Sequence, residues 1–222
     1  IAGDPKNGNP CYSYFTCGTP LASEVAADPL KGKRDLEKAK QLIKESGYKG
    51  EKIVIIDATD QPMVHAQSLI TLDLLKKLGL NAEVQAGDWG TLITRRAVRE
   101  PPEKGGWNIF HTWIVGPDMV NPAVNFPIRG TGDKAWFGWP CDKKMEEMAT
   151  AFARETDPAK QMQIAKEIQA RNYAEVVTHA PVPKHCVPCS VLDPKRHIFY
   201  GGTAPGVGED GEGIHFFAYD VA

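Results

Sequence analysis

The five tryptophans of this 222-residue chain, Trp89, Trp107, Trp113, Trp136 and Trp139, all fall between positions 89 and 139. Arg95, Arg96, Arg99 and Arg129 lie in the same stretch, as does the run Gly130-Thr131-Gly132-Asp133-Lys134-Ala135-Trp136-Phe137-Gly138-Trp139-Pro140. Stiff aromatic walls with a few directed polar groups are the makings of a small-molecule cleft. A guanidinium beside such a wall can hold a carboxylate through two parallel hydrogen bonds. Any one tryptophan is more commonly packing between elements. The stretch as a whole is read as a binding surface.

Other reactive types are weaker signals. Cys11 and Cys17 are close enough in sequence to close a loop by a disulfide, contributing about 2.4 kcal/mol at most by loop entropy and pointing to an oxidising compartment; two unrelated thiols are the alternative. His185-Cys186-Val187-Pro188-Cys189 has metal or redox spacing, with His197 nearby. A structural zinc site needs a second matching pair, and a redox pair opens a helix; the prolines here favour extended chain, so a structural disulfide or free thiols are expected, and Cys141 has no evident partner. Gly206-Val207-Gly208-Glu209-Asp210-Gly211 has dinucleotide-loop glycines but too little chain after it for a βαβ unit, and is read as a flexible tail. Nucleophile-elbow and His-Glu-x-x-His motifs are absent. Asp57, Asp60, Asp88 and Asp118 suggest no catalytic pair. Asp88 reads as a helix cap, and His65 and His111 as core or rim histidines.

The elements that must position these residues follow from periodicity. Asp35 caps a helix whose Leu36, Ala39, Leu42 and Ile43 recur at helical spacing until Gly47. Ile53-Val54-Ile55-Ile56 is a buried strand. A helix follows Pro62, with Val64, Leu69, Leu72, Leu75 and Leu78 before Gly79, and then a strand at residues 80–84. This is a βαβ unit with parallel pairing. A helix over 92–98, a strand over 108–115, helices over 142–155 and 158–177 (Pro158 at its first position) and a strand near 180–186 complete an α/β lobe with a mixed sheet flanked by helices.

Composition sets the class. The chain is 42% hydrophobic and 24% charged with a formal net charge of −2, ordinary for a globular protein and without the basic excess of a nucleic-acid binder. No run is long and apolar enough to span a membrane. The start, Ile1-Ala2-Gly3-Asp4-Pro5, has neither an initiator Met nor a secretory leader, so a cleaved leader or a piece of a longer chain is expected.

The run Arg34-Asp35-Leu36-Glu37-Lys38-Ala39-Lys40-Gln41-Leu42-Ile43-Lys44-Glu45-Ser46-Gly47-Tyr48 resembles a helix of solute-binding protein family 5, the extracytoplasmic dipeptide- and oligopeptide-binding components of ABC importers. The resemblance continues through Leu74–Glu83, Asp88-Trp89, Arg95-Arg96, Gly106-Trp107-Asn108-Ile109-Phe110-His111 and Ala135–Trp139, covering about residues 10–195. It implies a periplasmic-binding-protein type II-like lobe that closes on ligand by hinge motion. The expected organisation is an extended approach or hinge segment at 1–34, a ligand-binding lobe at 35–195, and a Gly-rich segment at 196–222 contacting another lobe in the full-length protein. It implies a non-catalytic receptor for peptides or peptide-like solutes, periplasmic or extracellular, working with membrane permease subunits and using no cofactor or metal. Arg95, six residues after Trp89, would grip the ligand carboxylate. Trp113, Trp136 and Trp139 would be walls. Asn121 stands where dipeptide binders carry an acid for the ligand ammonium, with Asp118 available from the same loop. That departure motivates an alternative solute, such as a metal chelate or an opine-like compound. A thiol-dependent redox or metal protein using Cys186 and Cys189 is a remote alternative.

Overall fold

The computed structural model describes residues 11–31, 35–177, 190–193, 198–202 and 216–220. The chain divides into two compact units. The first comprises residues 1–10, 35–113 and 189–222; the second comprises residues 11–34 and 114–188.

The first unit is built on the βαβ pattern. Helix α1 (Leu36–Glu45) starts where Asp35 accepts a hydrogen bond from the Lys38 amide and ends before Gly47, whose φ of +75° suits glycine. Strand β1 (Ile53–Ala58) pairs in parallel with β2 (Ala82–Gly87) on one side and with the short β3 (Ile109–Phe110) on the other, giving the order β2-β1-β3. Between β1 and β2 runs α2 (Pro62–Lys77), with proline in its first turn. Every residue of β1 is buried, because both faces of the sheet are covered. Ile53 and Ile55 pack with Ile43, Leu75 and Leu78 on one face. Val54, Ile56 and Ala58 pack with Val64, Leu92, Trp89 and Trp107 on the other.

Two elements differ from expectation for local reasons. Helix α3 runs Trp89–Arg95, three residues earlier than the 92–98 pattern suggests, because Asp88 caps it through the Thr91 amide at 2.7 Å while Asp60 takes the Trp89 amide at 2.8 Å. The strand expected over 108–115 is only two residues long. Asn108 accepts from the Val54 amide through its side chain (2.8 Å) and donates its own amide to Val54 O (2.9 Å). Beyond Phe110 the chain leaves the sheet. All pairing in this sheet is parallel. Antiparallel pairing between named strands occurs, among the described residues, in a second sheet of order β4-β5-β6: Ser190–Asp193, Ile198–Gly202 and Phe216–Asp220. The strand expected near 180–186, the Cys186/Cys189 pair and the glycine run at 206–211 lie outside the described residues.

The second unit packs α4 (Lys143–Arg154) and α5 (Pro158–Val177) with residues 11–31. The segment expected to be an extended approach supplies the fully buried Phe15, which meets Ile128, Met145, Ala165 and Ile168. Its backbone is anchored by Gln169, whose Oε1 accepts from Ser13 Oγ and the Tyr14 amide and whose Nε2 donates to the carbonyls of Ser23 and Val25. Cys11 and Cys17 are joined by a disulfide (S–S 2.12 Å, Cα–Cα 5.8 Å). Between residues 116 and 134 the chain makes three short 3-10 turns, Gly116–Met119, Phe126–Ile128 and Gly132–Lys134.

Candidate functional site

The residues expected to hold a ligand are divided between the units. Arg95 and Trp113 belong to the first; Asp118, Asn121, Trp136 and Trp139 belong to the second.

In the first unit Arg95 sits in the last turn of α3. Its Nε donates to Gly105 O at 3.0 Å, and its Nη2 donates to Gly106 O at 3.0 Å and to Gln85 Oε1 on β2. One edge of the fork thus holds the turn that leads into β3. With Asp88, Gly90, Thr91, Thr94 and Val98 the side chain lines a shallow surface depression. Two of the tryptophans are packing residues. Trp107 meets Phe110 edge-on at 4.9 Å and donates its indole N–H to Arg96 O at 3.2 Å, and Trp89 packs against the Val54–Ile56 side of the sheet. Trp113 differs, being 50% exposed just beyond β3.

The second unit presents its aromatics from a closed loop. Gly130 O accepts the Asp142 amide at 3.0 Å, Pro140 O accepts the Gly132 amide at 2.7 Å, and Thr131 bridges Cys141. The base of the loop is clamped by charge. Arg129 grips Glu146 through two hydrogen bonds (2.9 and 2.5 Å), and Glu146 also accepts the Gly130 amide at 2.8 Å. The Arg129 contact holds the Glu146 carboxyl below the ordinary carboxylate range and raises the guanidinium in turn. Asp142 caps α4 through the Met145 amide and takes a bidentate contact from Arg171 on α5 (2.6 and 2.9 Å). On this base Trp136 stands edge-on to Phe126 at 5.5 Å and tilted against Phe137 at 5.9 Å. Trp139 has φ +53°, a left-handed conformation that is uncommon for a bulky residue and clusters at ligand sites. Asp118 is exposed in the first 3-10 turn. Asn121 has a local role: its Oδ1 accepts from the amides of Ala123 (2.8 Å) and Val124 (3.2 Å), forming an Asx turn.

With this geometry in place, the chain can be set beside known proteins. No family model matches it. Over 186 residues it is 33% identical to a probable peptide ABC transporter periplasmic-binding protein of Sinorhizobium fredii, an alignment covering 84% of this chain and 35% of that protein. The chain therefore spans about a third of the length of that relative. Its fold is similar to a putative peptide-binding protein of Clostridium difficile, with a TM-score of 0.63 at 18% identity, covering 78% of this chain and 34% of that one. A substrate-binding protein of an ABC transporter from Listeria monocytogenes is similar with a TM-score of 0.59 at 17% identity, covering 76% and 33%. These likenesses match the resemblance to solute-binding protein family 5 over part of the length of such proteins.

The architecture of the chain is that of the type II periplasmic-binding proteins. Its sequence markers turn out to be fold-builders: Asp35 caps, Trp107 packs, Asn108 pairs with β1, and the Tyr48 hydroxyl donates to Glu51 O and accepts the Asn81 amide. Two groupings in the chain escape sequence reading. Phe126, the half-exposed partner of Trp136, lacks any motif. A polar cluster of Asp57, His65, Thr71 and His111 sits on the α2 side of the first sheet, and its only signal is an acid at the end of an apolar run. Among the described residues no helix is long and apolar enough to cross a membrane, and no group of three or more acids, histidines and cysteines is arranged to hold a metal.

Proposed function

We propose that this chain forms part of the extracytoplasmic receptor of an ABC importer, gripping a peptide or peptide-like solute without altering it and passing it to the membrane permease subunits. The observation that carries this reading is the 33% identity over 186 residues to a probable peptide-transporter binding protein. The exposed Trp113 and the clamped loop bearing Trp136 and Trp139 support it, because rigid aromatic surface adds contact area at little conformational cost. Arg95 enters as the anionic-group contact through Nη1, the part of its fork not holding Gln85, Gly105 and Gly106. Asp118 is the acid nearest in sequence to Asn121 that can meet a ligand ammonium, since the Asn121 oxygen is engaged in its own turn.

The test is to purify the receptor containing this chain without denaturation and examine it by native mass spectrometry, then by calorimetric titration with a peptide pool. Retained peptide masses are expected. Arg95→Ala should weaken binding at least about tenfold, the loss of one charge-assisted hydrogen bond of roughly 1.5 kcal/mol. A retained non-peptide solute, or unchanged affinity in both Arg95→Ala and Trp113→Ala, overturns the reading.

A further inference from the structure

In the polar cluster of the first unit two members, Asp57 and Thr71, are fully buried, while His65 and His111 are partly exposed. Asp57, the fifth residue of β1, is 1% exposed. Its Oδ2 meets His65 Nδ1 at 2.6 Å, and its Oδ1 is buried with no hydrogen-bond partner among the described residues. An acceptor left this way is costly in a low-dielectric interior. His111, two residues along the chain from the paired Ile109, places Nε2 2.9 Å from the hydroxyl of the fully buried Thr71 on α2. Two residues further on is Trp113, half of whose surface faces solvent.

We propose that Asp57, Thr71 and His111 form a two-position proton switch that sets how Trp113 is presented to a solute. With a neutral ring, His111 rests on Thr71. When a proton from solvent makes it an imidazolium, both ring nitrogens become donors, and the ring turns toward the open Oδ1 of Asp57. No bond other than N–H is made, and no electron moves. Because His111 and Trp113 are separated by one residue of non-sheet chain, the turn shifts the indole. The role of Trp113 as a solute wall rests on the receptor reading above; the switch itself does not.

The surrounding charges fit this assignment. The charge acting on His111 is that of Asp57 on β1, which also meets His65 on α2. Asp60 in the β1–α2 turn is engaged by the Trp89 amide, and Asp73 on the outer side of α2 pairs with Lys77 at 2.7 Å. Burial pushes the His111 imidazole down from 6.5 to about 4, with Asp57 pulling the other way. The neutral position is therefore the resting one at neutral pH, and the acid position is reached only under strong acidification.

Proton–nitrogen correlation spectra of the histidine-labelled chain between pH 3.5 and 8, recorded together with the indole N–H of Trp113, test the switch without any solute. His111 should titrate well below 6.5, and the Trp113 indole should move with the same midpoint. Asp57→Asn removes the opposing charge and should lower that midpoint by about one pH unit. If that variant does not fold, Thr71→Val keeps the test open: losing the resting hydroxyl should give the Trp113 signal an acid-like position at neutral pH. A His111 midpoint near 6.5, or an indole signal that stays fixed through the His111 titration or is unchanged in Thr71→Val, overturns the proposal. Absence of peptide binding in the native mass spectra would remove the receptor reading while leaving these signals as they are.

Discussion

Replacing Gln169 with methionine tests how the second unit holds its N-terminal segment. The side chain is fully buried on α5, and all four of its hydrogen-bonding sites are used: Ser13 Oγ at 3.0 Å and the Tyr14 amide at 3.2 Å on Oε1, the carbonyls of Ser23 at 2.6 Å and Val25 at 3.0 Å on Nε2. Methionine keeps the length and the apolar stem but strands four partner groups. At about 1 kcal/mol each, the low end for a buried group left unmade, the loss is about 4 kcal/mol. Against a total of about 5–15 kcal/mol for a domain this is severe, and it corresponds to a fall in melting temperature of about 8–16 °C for a chain of this size. Urea denaturation gives the loss directly, and hydrogen exchange at the Tyr14 amide tells whether the segment detaches before the rest unfolds. A loss under about 1 kcal/mol with the Tyr14 amide still protected would refute the reasoning. It would mean that the four groups find other partners without moving the segment.

Reducing the Cys11–Cys17 bridge, or replacing both cysteines with serine, should lower stability by no more than about 2.4 kcal/mol; denaturant titration with and without reductant measures it. Gly106→Ala should destabilise the first unit by about 1–3 kcal/mol or more, since the added carbon would lie 1.6 Å from Glu100 O in rigid backbone, and the carbonyl that accepts Arg95 Nη2 must shift; a melting point equal to wild type contradicts this. Stability should fall on acidification through His111. Its folded value of about 4 lies below 6.5, so the unfolded chain takes the proton first; the stability is complete above pH 6.5 and is lost as pH falls toward 4, by about 3 kcal/mol at most. Urea titrations at pH 7.5 and 4.5 should show a smaller difference for His111→Gln than for wild type, and equal differences would sink the assignment.

What was legible in the sequence was what local physics decides. Asp35, Gly47, Pro62 and Asp142 mark helix ends by caps and backbone preference, and the structure places the ends there. The run Ile53–Ile56 could be read as a buried strand because β-branched residues in an unbroken apolar row have few other homes. The boundaries that shifted depend on partners distant in sequence. Trp89 enters α3 because Asp60, 29 residues earlier, receives its amide, and β3 is short because an asparagine side chain does part of the pairing. Periodicity contains neither fact. The assignment of Arg95 rests on the family resemblance and the Trp89–Arg95 spacing, and neither reveals that Gln85 and the 105–106 carbonyls engage the guanidinium.

The same division explains why the family resemblance is easier to read than the solute. The residues that carry the resemblance, Asp35, Tyr48, Trp107 and Asn108, act inside the fold, where a cap, a hydroxyl bridge or a strand clip tolerates few substitutes. Apart from Arg95 on α3, the residues proposed to meet a solute lie between 113 and 139, where the chain runs through turns and short 3-10 segments. Glu146 and Asp142 fix the base of that loop through two arginines, leaving Trp136, Phe137 and Trp139 to vary in what they touch without loosening what carries them. On the proposed receptor reading, specificity changes by replacing loop side chains on an unchanged clamp. Breaking the Arg129–Glu146 pair should therefore disturb binding of every solute alike, whereas replacing Trp136 should change their ranking.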